Sequence, residues 1–255
     1  MTLQELDTYF RSFLKIENFS ADPSLNGIQI ENSDPCTKEI KKVAFAVDAC
    51  QATFERAVQL HADVLFVHHG IFWGQCETVT GTHYRRLKTV LDNDVALYAC
   101  HIPLDANELV GNNYGLARRL GLQNIQAFGV WHGMTLGAAG EFEEPITIDK
   151  LERMLFPQGE KALHILPFGK KEIKTVAIIS GGAGGDMDQA VAAGYDAYIT
   201  GEIGHEEYHK ALESKINLIA GGHYQTETVG VSLVMEKLAQ DTGLETVFIH
   251  VPTGL

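Results

Sequence analysis

The feature that most constrains this chain is a pattern that occurs twice at a constant spacing. Lys42-Val43-Ala44-Phe45-Ala46-Val47 is a short apolar run suited to a buried strand, and Thr175-Val176-Ala177-Ile178-Ile179-Ser180 answers it. A helix-like stretch follows each, around Ala57-Val58 and Ala190-Val191. Ala62-Asp63-Val64-Leu65-Phe66-Val67 then matches Tyr195-Asp196-Ala197-Tyr198-Ile199-Thr200. Val43 and Val176, Ala57 and Ala190, and Asp63 and Asp196 are each 133 residues apart. Further on the offset falls to 122, as a shorter connection would make it. There Val95-Ala96-Leu97-Tyr98-Ala99-Cys100 runs into His101, and Ile216-Asn217-Leu218-Ile219-Ala220 runs into Gly221-Gly222-His223.

Alternating strands and helices predict parallel sheets covered by helices. The expected fold class is α/β, with two similar α/β domains related by the internal repeat. The expected boundaries are 1–125 for the first and 165–255 for the second. The connecting segment, 126–164, reads as a strand pair turning at His132-Gly133, then a short helix from about Ile148 to Leu155, stopped by Pro157.

The repeat also aligns two pairs of polar residues. His101 and Asp105 correspond to His223 and Glu227, each pair 122 residues from its copy and each directly after a buried strand. The carboxyl ends of strands are where open α/β sheets bind ligands, and four-residue spacing puts both side chains on one helical face. Pro103 makes the first copy less regular. A third element, His68-His69-Gly70, ends the strand Leu65-Phe66-Val67. Adjacent histidines on extended backbone point to opposite sides, but at a strand end they can splay, each toward a different metal. His68, His69, Asp105, His223 and Glu227 are therefore the candidate metal ligands. Imidazole with carboxylate suits iron, zinc, manganese, cobalt or nickel. Five donors exceed what one catalytic ion takes from protein, and Glu227 is long enough to bridge two divalent ions. Two ions about 3.5–4 Å apart can share a hydroxide and make a nucleophile at neutral pH. His101, left over beside such a pair, is the candidate catalytic acid–base.

Other signals point elsewhere. His205-Glu206-Glu207-Tyr208-His209 matches the H-E-x-x-H helix of zinc peptidases. It has no counterpart in the first copy of the repeat, so an exposed acidic helix is the plainer reading. Ser180-Gly181-Gly182-Ala183-Gly184-Gly185-Asp186 follows a strand as a phosphate loop would. It lacks the Gly-Lys-Ser/Thr ending, and a tight strand-to-helix turn explains it better. His132 and His164 have no acid at ligand spacing and read as structural. Trp73 is placed to line a pocket or to fill the core. Cys36, Cys50, Cys76 and Cys100 form no C-x-x-C pair, so they are expected as reduced thiols. A net charge of −13 disfavours direct nucleic-acid binding and anionic membranes. No apolar run approaches the roughly 20 residues of a membrane span, and the acidic, amphipathic start is unlike a signal peptide; the expected location is cytoplasmic.

At these residues the sequence resembles the GTP cyclohydrolase type 2 homologs, the NGG-interacting-factor-three-like family. The motifs are Asn26-Gly27-Ile28-Gln29, His68-His69-Gly70, His101-Ile102-Pro103-Leu104-Asp105, Asp196-Ala197-Tyr198-Ile199-Thr200-Gly201-Glu202 and Gly222-His223-Tyr224-Gln225-Thr226-Glu227. The resemblance spans essentially the whole chain. It implies a dinuclear metal centre in the cleft between the two domains, and a ring-shaped homohexamer, a trimer of dimers. Carried over by position, one ion takes His69, Asp105 and Glu227, and the other His68, His223 and the shared Glu227. A GTP cyclohydrolase activity is implied by the resemblance alone. Two function classes remain: a metal-dependent hydrolase of a small molecule, and a non-enzymatic metal-binding protein or oligomeric scaffold. A zinc peptidase built on His205 and His209 is the third reading.

Overall fold

The amino-terminal helix is written into the first fourteen residues. Thr2 accepts the Glu5 amide while Glu5 accepts that of Thr2, a capping box that starts α1 (Leu3–Leu14). Leu3, Leu6, Phe10 and Leu14 fall on one stripe, and all four are buried. The computed structural model describes all 255 residues, Met1–Leu255. Along the chain follow β1 (Gly27–Ile30), β2 (Lys42–Asp48), α2 (Gln51–Gln59), β3 (Val64–His69), α3 (Gly81–Asp92), β4 (Ala96–Ala99), the one-turn α4 (Ile102–Asp105) and α5 (Asn112–Arg119). Next come β5 (Gln123–Trp131), β6 (Met134–Ile146), α6 (Ile148–Leu155), β7 (His164–Pro167), β8 (Ile173–Ile178), α7 (Met187–Ala192), β9 (Ala197–Thr200), α8 (His205–Ser214), β10 (Asn217–Ala220), α9 (His223–Thr242) and β11 (Glu245–Phe248).

Two compact units result. The first joins Met1–Leu104 with Val231–Val251, and the second joins Asp105–Gly230 with Pro252–Leu255. These units do not divide near residues 125 and 165, where the sequence pattern set its boundaries. The physical reason in the first unit is β11, which pairs with β2 in parallel register, Glu245 opposite Lys42 and Phe248 opposite Phe45.

The first unit's sheet has the order β1-β4-β3-β2-β11, all parallel except β1. Both faces of it are covered, which is why β2, β3 and β4 are near-continuous apolar runs. On one face Phe10 of α1 packs against Phe66 and Tyr98, whose stacked rings lie 5.5 Å apart. On the other, Leu65, Val67 and Leu97 share a core with Phe54 of α2 and Val90 of α3. Truncating a ring such as Phe10 would cost about 3–5 kcal/mol. The second unit's sheet runs β5-β6-β8-β9-β10-β7, with β8, β9 and β10 parallel. The β5–β6 hairpin turns at His132-Gly133 and lines up Ala138 with Ile178 of β8. Each unit thus contains a strand–helix–strand–helix–strand run, β2 to β4 in one and β8 to β10 in the other. No helix is long and apolar enough to cross a membrane.

Candidate metal centre

In the first unit the candidate residues stand at the carboxyl ends of the parallel strands. His68 and His69 are the last residues of β3, and their rings lie 4.5 Å apart. His101 follows β4, with its ring 5.2 Å from that of His68 and 5.7 Å from that of His69. One ring nitrogen from each of the three lies within 4.8 Å of the others, a group that could hold a metal ion.

Each of these imidazoles is held through Nδ1. His68 Nδ1 meets the Cys100 carbonyl at 2.9 Å, His69 Nδ1 meets Asp48 Oδ1 at 2.8 Å, and His101 Nδ1 meets Asp22 Oδ1 at 2.9 Å. A carbonyl or carboxylate can only accept, so Nδ1 carries a proton and Nε2 is the nitrogen such a ring could offer a metal. Sheet register explains one of the partners: Asp48 ends β2 directly opposite His69.

Asp22 is more heavily engaged. Its two oxygens also accept the amides of Ser24 and Ile102 and the Asn26 carboxamide, and its side chain is fully buried. Burial alone would raise its pKa. The bonds from His101, Asn26 and Ser24 outweigh that and hold the carboxyl below its ordinary value. Asn26 also accepts the His101 amide at 2.7 Å, and Gln29 accepts the amides of Ile71 and Phe72. A Cβ on Gly70 would stand 2.4 Å from the Gln29 carboxamide, so the residue after the His pair must be glycine for this brace to close. The Asn26-Gly27-Ile28-Gln29 motif is thus a buttress for the His101 and His69 loops. Trp73 donates to the Gly70 carbonyl, and its ring lies 5.0 Å from His101 and 6.2 Å from His69.

In the second unit Asp105 is buried, and its Oδ1 accepts the Asn112 carboxamide at 2.8 Å and the Ser180 hydroxyl at 3.1 Å. Asn113 accepts the Ser180 amide and donates to the Asp105 carbonyl, which ties α5 to the end of β8. His223 and Glu227 open α9 one turn apart, with His223 Nε2 3.2 Å from Glu227 Oε2. Glu202 holds His223 Nδ1 at 2.5 Å, and its own amide donates to the Gly181 carbonyl. Burial opposes a charge on His223, but Glu227 and Glu202 prevail and raise its pKa to about 9. All four imidazoles therefore share one feature, Nδ1 on an oxygen acceptor. That is how second-layer acceptors orient metal-binding histidines, so the donor set fits divalent ions. His, Asp and Glu side chains that could hold a metal include all five of His68, His69, Asp105, His223 and Glu227.

The rival motifs fare differently. His205 and His209 are exposed on α8, where Glu207 accepts the Gly204 amide as a cap, and neither belongs to a group that could hold a metal. His132 and His164 are also exposed and outside such groups. In the glycine-rich loop the first two amides are already used: Ser180 donates to Asn113 and Gly181 to Thr226 Oγ1. All four cysteines are free thiols. Sequence reasoning assigned no role to Asp22, Asp48 or Glu202. For Glu202 a signal existed, since it stands 133 residues after His69.

The model of the Duf34/NIF3 (NGG1p interacting factor 3) family matches residues 1–254. The chain belongs to this family. Among Duf34/NIF3 relatives, a Treponema pallidum protein named GTP cyclohydrolase 1 type 2 homolog is 44% identical, with both chains covered completely. A Pyrococcus abyssi protein of the same name is 40% identical, again over the whole of both. The crystal structure of TTHA1606 from Thermus thermophilus has a TM-score of 0.90 at 36% identity, covering all of both chains. Reduced HcgD from Methanocaldococcus jannaschii shares the fold, at a TM-score of 0.86 and 23% identity over 98% of each chain.

Proposed function

We propose that this Duf34/NIF3 protein is a dinuclear metal protein acting as a metal-dependent hydrolase of a small molecule. The observation that carries the reading is the common setting of the four imidazoles, each with Nδ1 on an oxygen acceptor. In this reading the donors of both units serve one centre, with His69, Asp105 and Glu227 on one ion and His68, His223 and Glu227 on the other. The 122-residue correspondence of His101/Asp105 with His223/Glu227 supports it. So does the name GTP cyclohydrolase 1 type 2 homolog, which the relatives bear. A divalent pair supplies Lewis acidity and an activated water. The chain's own part is to hold the donors and move a proton. Asp22 fixes His101 through Nδ1, so Nε2 is the atom that takes or gives the proton, and Trp73 walls one side of that ring. A second role for His101, as a ligand, is favoured by its grouping with His68 and His69. The same reading carries a cytoplasmic homohexamer, a trimer of dimers.

The test is elemental analysis of the purified protein, followed by a hydrolysis screen of the metal-loaded form against esters, nucleotides and cyclic amides. The expected result is about two ions per chain and turnover of at least one class. Two ions without turnover would leave the metal-binding or scaffold class as the function.

A further inference from the structure

Helix α5 opens with two adjacent asparagines, Asn112 and Asn113, and both are fully buried. Asparagine is mostly a surface residue, and inside a protein both ends of its carboxamide need partners. Asn113 uses its carboxamide on backbone: it accepts the Ser180 amide and donates to the carbonyls of Asp105 and Leu136. Asn112 is engaged differently. Its Nδ2 donates to Asp105 Oδ1 at 2.8 Å, and its Oδ1 accepts the Gly230 amide at 2.7 Å. An ionised carboxylate only accepts and a backbone amide only donates, so these two partners fix which way the carboxamide faces. All of these residues belong to the second unit.

Gly230 is the informative partner. It stands eighth in α9, beyond the four amides that a helix start leaves unsatisfied, so this bond is not a cap. His223, Glu227 and Gly230 follow at spacings of four and three residues, which puts them on one face of the helix. That face carries two candidate metal donors and, one turn further on, presses against Asn112. The approach is close: a Cβ at position 230 would stand 2.7 Å from Asn112 Oδ1 and 3.0 Å from the Asn112 backbone nitrogen. Alanine is the better helix former, so glycine here answers to the contact and not to the helix. One carboxamide thus bears on all three candidate donors of the second unit. It holds Asp105 directly, and it holds His223 and Glu227 through the seat and rotation of α9.

We propose that Asn112 is a positioning residue for the metal donors of the second unit, setting the rotation of the Asp105 carboxylate and the seat of α9 with a single group. The proposal rests on the assignment of Asp105, His223 and Glu227 to the metal centre. Metal ligands tolerate errors of only about 0.2 Å, so releasing these bonds should appear as lost affinity. The test measures zinc affinity of the full chain by competition with a chelating dye, and melting of the metal-free protein. Asn112→Ala removes both bonds, while Asn112→Asp keeps an acceptor for Gly230 and sets a like charge against Asp105. Each should weaken zinc binding by about 10–100-fold. Asn217 supplies the control, a buried carboxamide of the same unit that bonds the backbone of Gly169, Lys170 and Asp196 at the start of β10. Asn217→Ala should lower melting and leave zinc affinity unchanged, as a purely structural carboxamide would. Wild-type affinity in Asn112→Ala, or an equal fall in Asn217→Ala, overturns the proposal. If the variants at 112 do not fold, Gly230→Ala decides, because it raises helix propensity while displacing Asn112. A loss of about tenfold or more supports the role, and unchanged affinity overturns it. A wild-type chain that binds no zinc overturns the dinuclear reading and this proposal with it, whereas two ions bound equally well by every variant fails the proposal alone.

Discussion

Replacing Gly181 by alanine tests the centre at its tightest point. Gly181 has φ +68°, and a Cβ built there stands 2.3 Å from Glu227 Oε1 and 3.2 Å from His223 Nε2. The left-handed conformation costs an L-residue about 1–2 kcal/mol relative to glycine. At about 2–4 °C per kcal/mol for a chain of this size, melting should fall by about 2–8 °C. The larger effect is local. Real Cβ atoms essentially never approach closer than 3.0 Å, so from 2.3 Å the Glu227 carboxylate must retreat by about 0.7 Å. Metal ligands tolerate errors of only about 0.2 Å. Gly181→Ala should therefore weaken metal binding by about 10–100-fold, the loss typical of disturbing a ligand's support. Gly185→Ala, in the same loop with nothing within 4 Å of the added atom, is the matched control. Competition with a chelating dye measures affinity, and calorimetry measures melting. Unchanged metal affinity in Gly181→Ala would refute the assignment of Glu227 and His223 to the centre.

Glu227→Ala should release both ions, and clean loss of a single ion by elemental analysis would remove its bridging role. His209→Ala should leave metal content unchanged; a fall there would revive the peptidase reading. His101→Ala should lower turnover by about 100-fold or more with metal retained. The opposite pattern, weakened metal with turnover intact, would make His101 a ligand or an orienting group. Asp22→Asn should lower turnover about 10-fold or more by loosening His101, again at full metal content; wild-type kinetics would show that the dyad is only structural. Sedimentation should give a hexamer at micromolar concentration, and a clean monomer would contradict that assembly.

Much of the candidate centre was legible in one dimension. The spacing between His223 and Glu227 is the helical i,i+4 relation, and α9 starts at His223 as that spacing requires. His68 and His69 could be placed because an apolar run of strand length ends just before them. The family resemblance, drawn from five short motifs, agrees with the family match over residues 1–254.

What the sequence by itself determined is the alternation of strand and helix in the core of each half, the repeat at 133 and 122 residues, and which residue types stand at those strand ends. These follow from local rules, because burial on both faces makes a strand apolar throughout and helical spacing is fixed at four. Tertiary structure alone decided the partners. Asp22 reaches His101 across 79 residues and Asp48 reaches His69 across 21, the first through a loop path and the second through strand register. It also returned β11 to the edge of the first sheet, beside β2. A hydrogen bond forms between whichever donor and acceptor the folded backbone brings within about 3 Å, and residue identity leaves that choice open.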